Sequence, residues 1–167
     1  MGQEGSQAAV SAKPLESASL DGLYEQDFVV WCEQTARLLR ASQFAEIDIE
    51  NLIEEVEAMA GSQRREVDSR LRVLMLHLLK WDKKPEKRSR SWLSTMDTQR
   101  TELEGVLEQS PSLRRTLPEA ITKMYPAAVR GVSLETGLPR GAFSSECPYT
   151  LEQILDYDFP PHQDVKV

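Results

Sequence analysis

A chain of 167 residues with 40% hydrophobic side chains suits one compact domain with its own core and leaves little room for two. Its formal net charge of -7 argues against a dedicated nucleic-acid binder, whose surface would be strongly basic. Two cysteines, Cys32 and Cys147, carry no metal-ligand spacing and imply no disulfide framework, which points to reduced thiols in a cytosolic protein.

Residues 1–20 are rich in Ala, Ser, Gln and Gly and lack the basic start and apolar run of a signal peptide, so they are expected to be a disordered tail. No later segment has the length needed to span a bilayer. A single helical domain over 21–160, followed by a short tail at 161–167, accounts for the rest. His162 falls in that proline-rich end and is expected to be exposed.

From Tyr24 to Phe44 the apolar positions Phe28, Trp31, Cys32, Leu38 and Leu39 recur at helical spacing. A second helix begins near Ile47, where Ile49, Leu52, Ile53, Val56, Met59 and Ala60 follow a three-four repeat, and Gly61 is a natural stop. A third is predicted over Ser62 to Trp81. Leu71 to Leu79 is interrupted only by Arg72 and His77, so most of that helix's circumference must be covered.

Pro85 breaks the basic stretch that follows. A fourth helix carries Trp92, Met96, Leu103, Val106 and Leu107 on one face and should end before Ser110-Pro111, because the residue before proline avoids the helical conformation. Ser110 or Ser112 is placed to cap a short turn through Leu113 and Leu117. Pro118 then opens a helix through Ile121, Met124 and Val129, and Pro126 inside it is expected to kink or split it. Near the C-terminus, Thr150-Leu-Glu-Gln153 reads as a capping box ahead of Ile154 and Leu155. No alternating β-branched segment exists, so the predicted fold is an all-α bundle of five or six helices.

Two clusters are candidate sites. Glu50, Glu54 and Glu57 fall at i, i+4 and i+7, one stripe on a segment with six carboxylates and no base between Glu46 and Glu57. Such a stripe can hold Mg2+ or Mn2+, the only cofactors the sequence suggests, because hard cations favour oxygen ligands. If the next helix packs antiparallel, His77 approaches the same carboxylates, as in the metal sites of helical bundles. The alternative is a stripe neutralised by Arg64, Arg65, Arg70 or Arg72, with His77 a satisfied core histidine. No Glu-x-x-His pair is present.

The second cluster is basic: Lys83, Lys84, Lys87, Arg88 and Arg90 lie between Trp81 and Trp92. Basic groups between aromatic rings can contact phosphates, bases or an acidic partner. The alternative has each tryptophan anchoring a helix end while the charges stay solvated. Nucleophile motifs such as G-x-S-x-G and the Walker loop are missing.

Several short segments occur in order: NLIEEVEAM at Asn51 to Met59, HLLKW at His77 to Trp81, SW at Ser91-Trp92 and QR at Gln99-Arg100. They continue with SPSLR at Ser110 to Arg114, YPAAVR at Tyr125 to Arg130 and CPYTLEQIL at Cys147 to Leu155. Together these resemble the bacterial domain-of-unknown-function family number twenty-nine, found in cyanobacteria and proteobacteria, over about Tyr24 to Pro160. The resemblance implies an all-helical cytosolic bacterial protein and brings no catalytic residues with it.

Three functional classes follow. A non-catalytic interaction or regulatory module, binding a protein partner or forming a homodimer, needs only an exposed apolar patch, for which the Tyr125-Pro126 helix and the Tyr157-Asp-Phe159 tail are candidates. A small metal-dependent hydrolase of a nucleotide or phosphate ester would use the glutamate stripe for the ion and the Lys83–Arg90 loop for phosphate. A nucleic-acid-associated protein would use the basic loop alone. The sequence favours the first class, and with it a protein that is not an enzyme.

Overall fold

The computed structural model describes residues 22–161. The two expected tails lie outside them, apart from Pro161, as does His162. Among the described residues there are six α-helices and no strand: α1 (Leu23–Gln26), α2 (Phe28–Arg40), α3 (Ile49–Lys83), α4 (Arg90–Gln109), α5 (Leu117–Thr136) and α6 (Leu151–Leu155). The all-α class is as the sequence implies. The chain divides into two compact units, Met1–Val56 and Glu57–Val167, with α3 contributing to both.

In the first unit, the helix expected from Tyr24 onward breaks at Asp27. The Asp27 side chain accepts a 3.1 Å hydrogen bond from the Val30 N–H and so caps α2. A 3-10 turn at Phe44–Glu46 follows α2. Asp48 then accepts from the Asn51 N–H at 3.3 Å as α3 begins. Tyr24 donates to Glu55 at 2.5 Å, tying α1 to the second turn of α3. Trp31 is the buried anchor, with Tyr24 edge-on at 5.0 Å and Phe28 stacked at 5.8 Å.

This unit buries little else. Trp31, Thr35 and Ile47 are its buried side chains, and the Trp31 Nε1 and Thr35 Oγ1 atoms find no hydrogen-bond partner. An unpaired buried donor costs about 1–3 kcal/mol, so this unit gains little from its own interior.

The expected stop at Gly61 does not occur. α3 continues as one helix from Ile49 to Lys83. A glycine in a helix interior costs only about 1 kcal/mol against alanine, which the helix-forming residues on both sides outweigh.

The second unit has a well-filled core. Val67, Leu71, Leu74, Met75, Leu78 and Leu79 of α3 are all buried, with Leu71, Leu74 and Met75 at 0% exposure, as the near-circumferential apolar pattern requires. Met96, Leu103 and Leu107 of α4 and Leu117, Tyr125, Ala128 and Val132 of α5 close on them, joined by Ile154 of α6. α5 lies close against α3 at Gly131, where a Cβ would stand 2.6 Å from Leu76 Cδ1.

The remaining boundaries follow local chemistry. Ser89 accepts from the Trp92 N–H to cap α4. α4 ends at Gln109 ahead of Ser110-Pro111, and a 3-10 turn over Pro111–Thr116 follows. Neither serine supplies a side-chain cap to that turn; the Ser110 hydroxyl donates instead to the Gln63 side chain. Pro126 does not split α5, which runs unbroken to a left-handed Gly137 (φ 73°). The capping box at Thr150 and Gln153 forms with both reciprocal bonds.

Candidate functional site

Glu50, Glu54 and Glu57 are all solvent-exposed along the N-terminal stretch of α3. His77 stands on the same helix, twenty positions beyond Glu57, which at 1.5 Å per residue is about 30 Å along the axis. The antiparallel approach that would bring His77 to the stripe required a turn at Gly61, and that turn is absent. Among the described residues no group of three or more His, Cys, Asp or Glu side chains is placed to hold a metal ion.

His77 instead satisfies itself within α3. Its Nδ1 donates to the Val73 carbonyl at 2.9 Å, so Nδ1 carries the proton. Burial is the main influence on its basicity and lowers its pKa below 6.5. The Val73 bond opposes that shift, and the nearby Lys80 ammonium adds to it. A neutral, half-buried imidazole is the result. Lys80 is itself engaged, with its Nζ 2.7 Å from Glu135 and 4.6 Å from the Trp92 ring centroid.

The basic cluster is also partly occupied by its own neighbours. Arg88 folds back, donating from Nε to the Trp81 carbonyl at 2.9 Å with its guanidinium 5.2 Å from the Trp81 ring. Lys83 and Lys84 lie 3.4 Å and 3.9 Å from Asp82 and Glu86. Trp81 is buried, Trp92 half-buried, and Lys87 and Arg90 exposed. This loop begins where α3 ends, so the glutamate stripe and the basic loop occupy opposite ends of one helix.

What the second unit does assemble near Trp81 is a cleft of about 250 Å³, lined by Leu78, Trp81, Asp82, Arg88, Tyr149 and Phe159. The Tyr149 hydroxyl is buried without a hydrogen-bond partner, and burial drives its pKa far above that of a free phenol. Tyr149 also lines a wider cleft of about 470 Å³ with Tyr125, Pro126, Glu146 and Cys147. There burial raises the Cys147 thiol and the Tyr125 phenol, while Tyr125 donates to the Ser144 carbonyl at 3.1 Å. A thiol and two phenols held protonated offer contacts rather than a nucleophile.

Sequence reasoning passed over Tyr149 and Asp82, which had no signal beyond the place of Tyr149 in the CPYTLEQIL segment and of Asp82 directly after HLLKW. It also passed over the role of Arg100. That residue is 4% exposed and donates to the Ile154 and Phe159 carbonyls at 2.9 and 2.6 Å, fastening the C-terminal segment to α4. Tyr125, expected on an exposed patch, is buried, and Phe159 is half-buried.

Exposed apolar surface lies elsewhere. Of the ten large hydrophobic residues exposed among the described residues, seven fall between Phe28 and Val56. These include Val29 at 65%, Phe44 at 60% and Val56 at 58%. No described helix is long and apolar enough to cross a membrane.

Residues 23–160 match the family model described as Domain of unknown function DUF29, and the chain belongs to that family. No curated protein and no solved structure matches it. The family is one of unknown function.

Proposed function

We propose that this DUF29 protein is a non-catalytic helical interaction module of the bacterial cytosol, and that the stretch from α2 to the first turns of α3 is its binding region. The observation that carries this reading is the concentration of exposed apolar side chains between Phe28 and Val56. Scattered surface hydrophobics are ordinary, but a set gathered in one stretch of chain, on a unit with almost no core of its own, supports an interaction surface. The free thiols of Cys32 and Cys147 suit a reducing compartment.

The test uses the full chain with a photo-crosslinking amino acid at Ile53, which is 52% exposed, expressed in bacterial cells. A discrete crosslinked protein species that disappears when Val56 is replaced by glutamate is the expected outcome. Irradiation that yields only uncrosslinked chain would overturn the reading.

A further inference from the structure

We propose that the cleft at the C-terminal end of α3 is a binding site for a small, neutral, planar molecule carrying an N–H beside a carbonyl or ring nitrogen, the hydrogen-bonding edge of a nucleobase. The site lies wholly in the second unit and does not depend on the binding region proposed above.

Segments far apart in sequence build this cleft. Leu78, Trp81 and Asp82 come from the last turns of α3, and Arg88 from the loop after it. Tyr149 comes from the segment before α6 and Phe159 from the segment after it. Arg100 holds the Phe159 wall in place, since its guanidinium donates to the Phe159 carbonyl at 2.6 Å. The Tyr149 and Phe159 rings meet edge to face with centroids 6.0 Å apart, which braces one wall against the other. A volume of about 250 Å³ falls below the roughly 300–1,000 Å³ of pockets for drug-sized molecules, and fits a ligand of one or two fused rings.

The polar groups select the chemistry. The Tyr149 hydroxyl is buried and has no hydrogen-bond partner. An unpaired buried hydroxyl costs about 1–3 kcal/mol, which a bound acceptor recovers. Burial holds its proton in place, and Asp82 is the strongest charge acting in the same sense, so the two groups are near neighbours and the phenol is a donor. The Asp82 carboxylate lines the same cleft and can only accept. A ligand that satisfies both offers an acceptor to Tyr149 and an N–H to Asp82.

Net charge on the ligand is disfavoured in either sense. An anion meets Asp82. A cation meets the Arg88 guanidinium, which is fixed by its Nε bond to the Trp81 carbonyl at 2.9 Å and lies 5.2 Å from the Trp81 ring. The rest of the lining, Leu78, Trp81, Phe159 and Pro160, is apolar or aromatic and packs against the faces of a flat ring.

Calorimetric titration of the full chain with uracil and with adenine tests the site. A one-to-one complex with a Kd in the millimolar range or tighter is expected for at least one of the two bases. Uracil methylated on both ring nitrogens has no N–H for Asp82 and should bind about tenfold more weakly or worse. Benzoate and benzamidine, flat rings of opposite charge, should bind more weakly than the neutral base. Tyr149→Phe removes only the hydroxyl, so it should weaken the base by about tenfold while leaving Tm unchanged or raised. Asp82→Ala, at an exposed position, should weaken it as well. Uridine distinguishes the source: binding at least as tight as uracil assigns the site to nucleosides, and loss of binding assigns it to the free base. No heat of binding from either base up to about 10 mM overturns the proposal. So does a base that Tyr149→Phe binds as tightly as the native chain, or a charged ring that binds more tightly than the neutral one.

Discussion

Arg100 and Ile154 meet across 54 positions of sequence through a 2.9 Å hydrogen bond from the guanidinium Nε to the Ile154 carbonyl. A second bond, from the same guanidinium to the Phe159 carbonyl at 2.6 Å, makes Arg100 a two-pronged clamp on the end of the folded chain. Burial lowers the Arg100 pKa, an effect that the Asp156 and Asp97 carboxylates oppose. The cation is retained because both prongs reach carbonyls that would otherwise be unpaired.

Replacing Arg100 with methionine keeps much of its volume and removes both bonds. Hydrogen bonds to a charged group contribute about 1.5–3 kcal/mol each, so a loss of about 3–6 kcal/mol is expected. Arg100→Lys should recover little, since an ammonium lacks the planar fork that spans both carbonyls. Denaturant melts give the energy, and faster amide exchange at 155–160 would place the loss at the clamp. A change under about half a kcal/mol would mean the segment is held by other contacts.

His77 sets a pH dependence of definite sign. Burial holds its folded pKa below the unfolded value near 6.5, so the unfolded chain binds the proton more readily. The contribution of His77 to stability is therefore complete above pH 6.5. It is lost as pH falls through that value and levels off below the lowered folded pKa. His77→Gln should flatten this limb of the stability curve, and NMR titration should give a midpoint below 6.5. A midpoint above 6.5 would reverse the argument.

The core of the second unit should respond to truncation as a close-packed interior. Leu74 is fully buried, and Leu74→Ala should cost about 2–5 kcal/mol. Leu134 on α5 is 81% exposed, and Leu134→Ser should change stability by less than about half a kcal/mol. Chemical denaturation of both variants checks the contrast.

The close approach of α3 and α5 makes a coupled prediction. Gly131→Ala adds a methyl 2.6 Å from Leu76 Cδ1, so repacking strain is set against the gain in helix propensity. Net destabilisation is expected in the wild-type background, and a smaller penalty where Leu76 is already valine. Equal effects in the two backgrounds would show that the residues do not press on each other.

The separation of the glutamates from His77, and the lack of any three-ligand group among the described residues, make a metal response at the stripe unexpected. Melting curves in EDTA and in millimolar Mn2+ should coincide for the native chain and for Glu54→Gln. A rise in Tm with Mn2+ that Glu54→Gln abolishes would install a metal site there instead.

Much of the fold was legible because it rests on local chemistry. Pro85, Ser110-Pro111 and Pro118 act on their own backbone, so they mark boundaries wherever the chain goes. The Thr150–Gln153 box closes within one turn, and Leu71 to Leu79 has no polar side wide enough for solvent. The misplaced features involve a balance of small terms. Gly61 ends a helix only when nothing favours continuing. The expected meeting of His77 with the glutamates depended on the turn at Gly61 and disappeared with it.

From its residues alone this chain specified an all-helical protein, its family, its most buried segment and most of its helix ends, since periodicity, proline and capping operate over a few residues. Tertiary structure alone decided that α3 runs through Gly61, that Arg100 clamps the C-terminal segment, and that the apolar repeat Ile49–Ile53–Val56 lies on the surface while the equally apolar Leu71–Leu74–Leu78 is enclosed. A three-four repeat states that a helix has a face to bury. Whether that face meets the chain's own core or remains open depends on contacts between segments distant in sequence, which no local pattern encodes.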